Sequence, residues 1–233
     1  MVVREQTWRR QDPVSILMYV VMIAGAVWHG LGWFDSLMRW LSGPMLIGFG
    51  FGVLLQVRKQ ATPLFWLWVV LVLLFSFLIE RAGVRTGWPF GAYAYSVVLQ
   101  PQWMGVPLAI AFSWLMLLIG AARIAAWVGG GRSRTLLVFG VALLMTLFDA
   151  VMEPAAVRLG YWNWQGGTIP LQNYLSWFAI ALLLVFAGTF MDLENILRCR
   201  RLVHFYFAPL LYFMLVLIFC CKKSSCGSLK TCV

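Results

Sequence analysis

The chain has 233 residues, 62% of them hydrophobic and only 11% charged, with a formal net charge of +10. Soluble domains carry about 25% charged residues, so this deficit and a mean hydropathy of +0.85 argue against a water-soluble fold and for a membrane protein. The basic residues are scattered through short breaks between apolar runs, a distribution that fits membrane topology and anionic headgroups rather than a nucleic-acid face.

In chain order, a basic N-terminal arm leads into a first apolar run at about 14–34. That run lacks a small-residue cleavage site and reads as a retained helix rather than a signal peptide. Six more runs follow, at about 41–57, 62–80, 105–128, 135–153, 174–192 and 205–221. Each approaches the ~20 residues a helix needs to cross ~30 Å of hydrocarbon. The runs are continuously apolar, not alternating, so helices are predicted rather than a barrel. The expected fold is an all-α, polytopic transmembrane bundle of about seven helices. It forms a single integral membrane domain over 1–233, with a short polar tail at 222–233.

Lys and Arg counts predict the orientation. Ten fall on the N-terminal side, against four on the other once the three in the tail are set aside. The positive-inside rule then puts the N-terminus in the cytoplasm of a cell-membrane protein, and the 81–104 and 154–173 breaks outside. All five cysteines lie at or after Cys199, without C-x-x-C spacing or a histidine at ligand spacing. No metal site is expected from them.

Two stretches resemble each other. ERAGVRTGW, from Glu80, aligns with EPAAVRLGY, from Glu153, at an offset of 73 that pairs Glu80 with Glu153, Arg85 with Arg158 and Gly87 with Gly160. VPLAIAFSW (106–114) then aligns with IPLQNYLSW (169–177) at an offset of 63, pairing Trp114 with Trp177. The pattern reads as an internal repeat in which spans three and four correspond to spans five and six, with an insertion in the first loop. Units starting two spans apart run the same way through the membrane, and such parallel repeats commonly enclose a site. Chance similarity of two interfacial loops is the competing explanation, since Trp, Tyr and Arg are enriched there anyway.

If the spans end at Glu80 and Glu153, both carboxylates lie near one membrane face. Asp149 precedes Glu153 by four residues, on the same helical face and about 6 Å deeper. Its counterpart at offset 73 is Ser76, so the two units share their glutamates and differ at the deeper position. A carboxyl inside a span costs about 2.5–3.5 kcal/mol on insertion scales, which makes it a functional candidate by default. Burial favours its neutral form, an acid able to give a proton. Asp149 is the strongest candidate; its structural alternative is an ion pair with Arg85 or Arg158. Glu80 and Glu153 have the same alternative, pairing with arginine at the interface. His29 reads as a hydrogen-bonded packing residue, Asn173 as a cap of the sixth span, and Asp192 and Glu194 as a solvated loop. The aromatic loops WPFGAYAY (88–95) and YWNW (161–164) fit either an interfacial belt or ring faces placed to stabilise a carbocation.

E-x-x-G-x-x-T-G-x-P-F-G-x-Y-x-Y (80–95), GVPL with a following Trp (105–114), and D-x-x-x-E-P-x-x-V-x-x-G-Y-W-x-W (149–164) followed by IPLQNYLSW occur here in order. Together they resemble the carotenoid biosynthesis membrane proteins of the bisanhydrobacterioruberin (carotenoid) hydratase type, over roughly Glu80 to Trp177. This chain departs from that family's pattern at Glu153, where the family carries Asp. The resemblance implies hydration of the terminal C1=C2 double bond of an acyclic carotenoid, without a cofactor. It implies Asp149, Glu153 and Glu80 as catalytic groups, with Asp149 as the acid and a glutamate handling the water. Tyr93, Tyr95, Tyr161, Trp162 and Trp164, with Asn173, Trp114 and Trp177, are the candidate substrate contacts. The polyene would enter from the surrounding lipid.

Cyclisation is a neighbouring chemistry in which an internal alkene replaces water. Intramembrane prenyl transfer would need acidic clusters to hold Mg²⁺, and only one D-x-x-x-E is present. A transporter or channel shares the repeats and the buried acids. A retinal protein is excluded because the last span, 205–221, has no lysine for a Schiff base.

Overall fold

The computed structural model describes residues 13–130 and 133–224. Its seven long helices are each apolar enough to cross a membrane. They are α1 (Pro13–Leu31), α2 (Asp35–Val57), α3 (Pro63–Thr86), α4 (Leu108–Val128), α5 (Arg134–Arg158), α6 (Leu171–Thr189) and α8 (His204–Ser224). A four-residue helix α7 (Leu193–Ile196) and a 3-10 turn (Arg200–Val203) join α6 to α8. The fold is a polytopic transmembrane helical bundle, as the apolar runs require. Residues 1–12, which hold the basic N-terminal arm, and 225–233, which hold most of the polar tail with Cys226 and Cys232, lie outside the described residues.

Local signals set the helix ends. Thr62 caps α3 by accepting the Phe65 amide at 3.2 Å, and Pro63 follows where its missing N–H costs nothing. Gly87, at φ 73°, ends α3 by donating its amide to the Gly83 carbonyl at 2.8 Å. Both α3 and α5 continue past the positions where the apolar runs stop. Glu80 and Glu153 therefore sit inside helices that end at Thr86 and Arg158, rather than at their tips. The helices extend because the residues after each glutamate keep making helical backbone bonds even though they are less apolar. Likewise α2 starts at Asp35, six residues before its apolar run, leaving only a short turn after α1.

The bundle is built around α4, the most deeply buried of the seven. It packs against α2, α3, α5 and α8, and small residues let those neighbours approach. A Cβ on Gly120 would lie 2.9 Å from the Tyr206 Cβ, so only glycine allows α8 to cross there. By contrast α1 and α2 present Leu17, Val20, Trp40 and Leu55 outward, the surface a lipid-facing helix needs. At the end opposite the aromatic loops, Thr62 donates to Asp192 at 2.6 Å and Arg134 pairs with Glu194 at 3.6 Å. Asp192 is thereby tied to the start of α3, while Glu194 stays exposed on its turn, as a solvated loop leaves it.

At the other end of the bundle the two aromatic loops meet. Strand β1 (Tyr93–Tyr95) pairs antiparallel with β4 (Trp162–Trp164), in the register Tyr93 to Trp164, Ala94 to Asn163 and Tyr95 to Trp162. The longer first loop also carries a small hairpin of β2 (Gln102–Trp103) and β3 (Val106–Pro107), which the second loop lacks. The α6 side chains Gln172 and Ser176 both donate to the Pro89 carbonyl, at 2.7 and 2.6 Å. Gly91, at φ 114°, lies so close to Pro170 that a Cβ would be 2.6 Å from its ring. Together these contacts lock the first loop onto the start of α6.

Candidate active site

Beneath the paired strands is a cavity of about 680 Å³, its open mouth included. Residues from α2, α3, α4, α5, α6 and α8 and from both loops line it. Glu80 and Glu153 stand on its wall, buried to 4% and 3% exposure. All eight aromatic and amide candidates named from the sequence line it too: Tyr93, Tyr95, Tyr161, Trp162, Trp164, Asn173, Trp114 and Trp177.

Each glutamate is held by aromatic residues of the loop that follows it, Glu80 also by Trp114 of α4. Glu80 Oε2 accepts the hydroxyls of Tyr93 at 2.5 Å and Tyr95 at 2.8 Å, and Oε1 accepts the Trp114 indole N–H at 3.2 Å. Glu153 Oε2 accepts the indole N–H groups of Trp162 at 3.0 Å and Trp164 at 2.8 Å. Alternation along each strand explains the pairing, since residues two apart share a face. Gly83, one turn after Glu80, makes this possible. A Cβ there would lie 2.9 Å from both Phe90 and the Tyr93 hydroxyl. Neutral donors thus hold both glutamates, in place of the alternative of pairing with arginine. Of the arginines nearby, Arg81 donates to the Met104 carbonyl, and Arg158 reaches the Leu217 carbonyl at 3.3 Å.

Asp149 occupies a different layer. It is fully buried, and its Oδ2 accepts the Asn173 side-chain amide at 2.6 Å, while no partner among the described residues reaches Oδ1. It stands behind the cavity wall, of which Asn173 forms a part. The Asn173 side chain does not cap α6, whose N-cap is Pro170; it is turned toward Asp149 instead. His29 packs edge-on against the Tyr212 ring, with centroids 6.3 Å apart.

Burial, and next to it the Glu80 carboxyl, pushes the Tyr93 and Tyr95 hydroxyls well above the ordinary tyrosine range. Both therefore remain donors. The rings enclose the cavity with π faces: Tyr93 and Trp164 have centroids 5.1 Å apart, and Trp114 and Trp177 are stacked at 4.1 Å. Carboxyls against such faces can hand over a proton and stabilise positive charge in an apolar enclosure. Sequence reasoning missed the contributions of Leu46 on α2 and of Pro209 and Phe213 on α8. They are apolar residues in apolar helices, and no local signal distinguishes them from lipid-facing neighbours.

An intramembrane cavity of this shape, under two interlocked aromatic loops, accompanies a clear family match. The chain belongs to the carotenoid biosynthesis protein family, whose profile matches residues 41–226. It is 33% identical over 157 residues to the bisanhydrobacterioruberin hydratase of Haloarcula japonica, a stretch covering 64% of this chain and 53% of that protein. The chain thus spans about half the length of that curated relative. No solved structure matches it.

Proposed function

We propose that this chain is a carotenoid hydratase that adds water across the terminal C1=C2 bond of an acyclic carotenoid. The observation that carries the reading is the pair of cavity-facing carboxyls, Glu80 and Glu153, each fixed by N–H or O–H donors among aromatic rings. Protonation of a terminal trisubstituted alkene gives a tertiary cation. Such a cation needs an acid, a nearby negative charge, π faces and exclusion of bulk water. Carboxyls of the Glu80, Asp149 and Glu153 group supply the acid and the charge. Tyr93, Tyr95, Tyr161, Trp162 and Trp164 shield the cation, and one water captures it as a tertiary alcohol. The chemistry needs no redox cofactor. The relative's name supports hydration over other uses of the same cation.

The protein is proposed to sit in the cell membrane with its N-terminus in the cytoplasm, so that the aromatic loops lie at the outer face and the polyene enters from lipid. Expression in a host that accumulates lycopene tests the activity by mass spectrometry of the extracted pigment. A gain of one water per reacted end is expected. An unchanged mass with a shifted chromophore would mean cyclisation or isomerisation, and an untouched pigment would remove the enzyme assignment for that substrate class.

A further inference from the structure

The donors around the two glutamates are of different kinds, and that difference assigns their roles. An indole N–H only donates, so any oxygen accepting one cannot itself carry a proton toward it. Glu153 Oε2 accepts two such groups, from Trp162 and Trp164. With both indoles on Oε2, Oε1 receives no hydrogen bond among the described residues and is the oxygen better placed to carry a proton, on a side chain lining the cavity. Glu80 is engaged at both oxygens: Trp114 supplies Oε1 and two tyrosine hydroxyls supply Oε2. Glu80 thus receives three donors, against two on Glu153.

Resting on the hydration reading above, we infer that Glu153 Oε1 carries the proton delivered to the alkene and that Glu80 works as the carboxylate. In the first step the Glu153 O–H bond breaks and the alkene π pair forms a C–H bond at C2. This leaves a cation at C1 and a Glu153 carboxylate held by two indole N–H groups. A water oxygen then forms the C1–O bond, and its proton passes to Glu80. Transfer of that proton from Glu80 to Glu153 resets the site, so alkene and water are consumed and only the alcohol appears. Asp149 is a positioning residue: by accepting the Asn173 amide N–H it fixes the orientation of a side chain in the cavity wall.

Deuterium separates the two roles. Membranes containing the full chain are given lycopene in D₂O, and both the hydrated product and the recovered polyene are analysed for carbon-bound deuterium. Wild type should yield hydrated pigment deuterated at C2. Glu153→Gln should lose hydration and deuterium uptake together, each by about 100-fold or more, the scale of one acid–base group. Glu80→Gln should lose hydration to a similar degree yet still deuterate the recovered polyene, because protonation and its reversal need only Glu153. Glu153→Asp, which keeps the acid, should recover part of the uptake; this guards against a folding defect, as does the elution profile of each variant in detergent. Deuterium uptake surviving in Glu153→Gln, or lost equally in Glu80→Gln, would overturn the assignment. A wild type giving neither water addition nor deuterium would instead overturn the hydratase reading itself.

Discussion

Trp114 and Trp177 lie face to face in the cavity wall, with centroids 4.1 Å apart and planes 21° apart, and each is the other's counterpart in the VPLAIAFSW and IPLQNYLSW match. The strand register has the same character. Exchanging Tyr93 with Trp162 and Tyr95 with Trp164 leaves every β1–β4 pair unchanged. Corresponding residues of the two units thus surround one site, and they differ in the donors they bring to it. Two tyrosine hydroxyls serve Glu80 where two indoles serve Glu153.

Trp114 both stacks on Trp177 and donates to Glu80. Trp114→Phe keeps a ring in the stack and removes only the N–H. A hydrogen bond to a charged group contributes about 1.5–3 kcal/mol. The hydration rate should fall by roughly 10- to 100-fold, with little change in the amount of folded protein. Initial rates in membranes, normalised to protein by immunoblot, check this.

Gly83→Val introduces a Cβ 2.9 Å from Phe90 and from the Tyr93 hydroxyl. Overpacking of this kind costs about 1–3 kcal/mol, and the displaced tyrosine loses Glu80. Hydration should be abolished and the thermal midpoint in detergent lowered, whereas Gly160→Ala, where a Cβ meets open space at φ 69°, should cost less. Equal losses in the two variants would contradict the packing argument.

Asp149→Asn separates the acid expected from the sequence from the one inferred from the geometry. The new amide keeps an oxygen to accept the Asn173 N–H, so the wall should survive. Carbon-bound deuterium uptake should persist while hydration declines. Complete loss of uptake would return the proton-donor role to Asp149. Asn173→Leu, in contrast, strands Asp149 without its one donor, and should cost about 1–3 kcal/mol of stability, read as a lower melting midpoint.

The tyrosines at the loop predict the alkaline limit. Tyr93, Tyr95 and Tyr161 titrate above the ordinary value of 10.0 in the folded protein, chiefly through burial. The folded state therefore holds these protons when the unfolded chain has released them. Their contribution to stability is intact below pH ~10 and is lost as pH rises past that value. Melting midpoints should fall as pH rises beyond ~10, and Tyr93→Phe should soften that decline.

Much of this was legible in the sequence because the bilayer enforces it. Spans of about 20 apolar residues must become helices, since no water is present to satisfy the backbone. The glutamates and the aromatic loops were legible as well, because charge within or beside a span is costly and stands out. The helix ends around Glu80 and Glu153 were misjudged, since hydropathy falls before backbone hydrogen bonding stops. The choice between arginine pairing and a cavity site is not legible in the sequence for a related reason: spacing along a chain shows which groups are near, not which donors turn inward.

By itself, the sequence determined a seven-span helical bundle and a short list of acids, aromatics and one amide, because hydrophobic length and polar cost act residue by residue. Only the tertiary structure decided which donors each acid meets. The antiparallel pairing of Tyr93–Tyr95 with Trp162–Trp164 is a contact between loops 69 positions apart. It gives hydroxyl donors to one carboxyl and donor-only indoles to the other. Asp149, the most conspicuous acid in the sequence, shares a helical face with Glu153 but lies a turn deeper, bonded to Asn173, while Glu153 meets the loop indoles and lines the cavity.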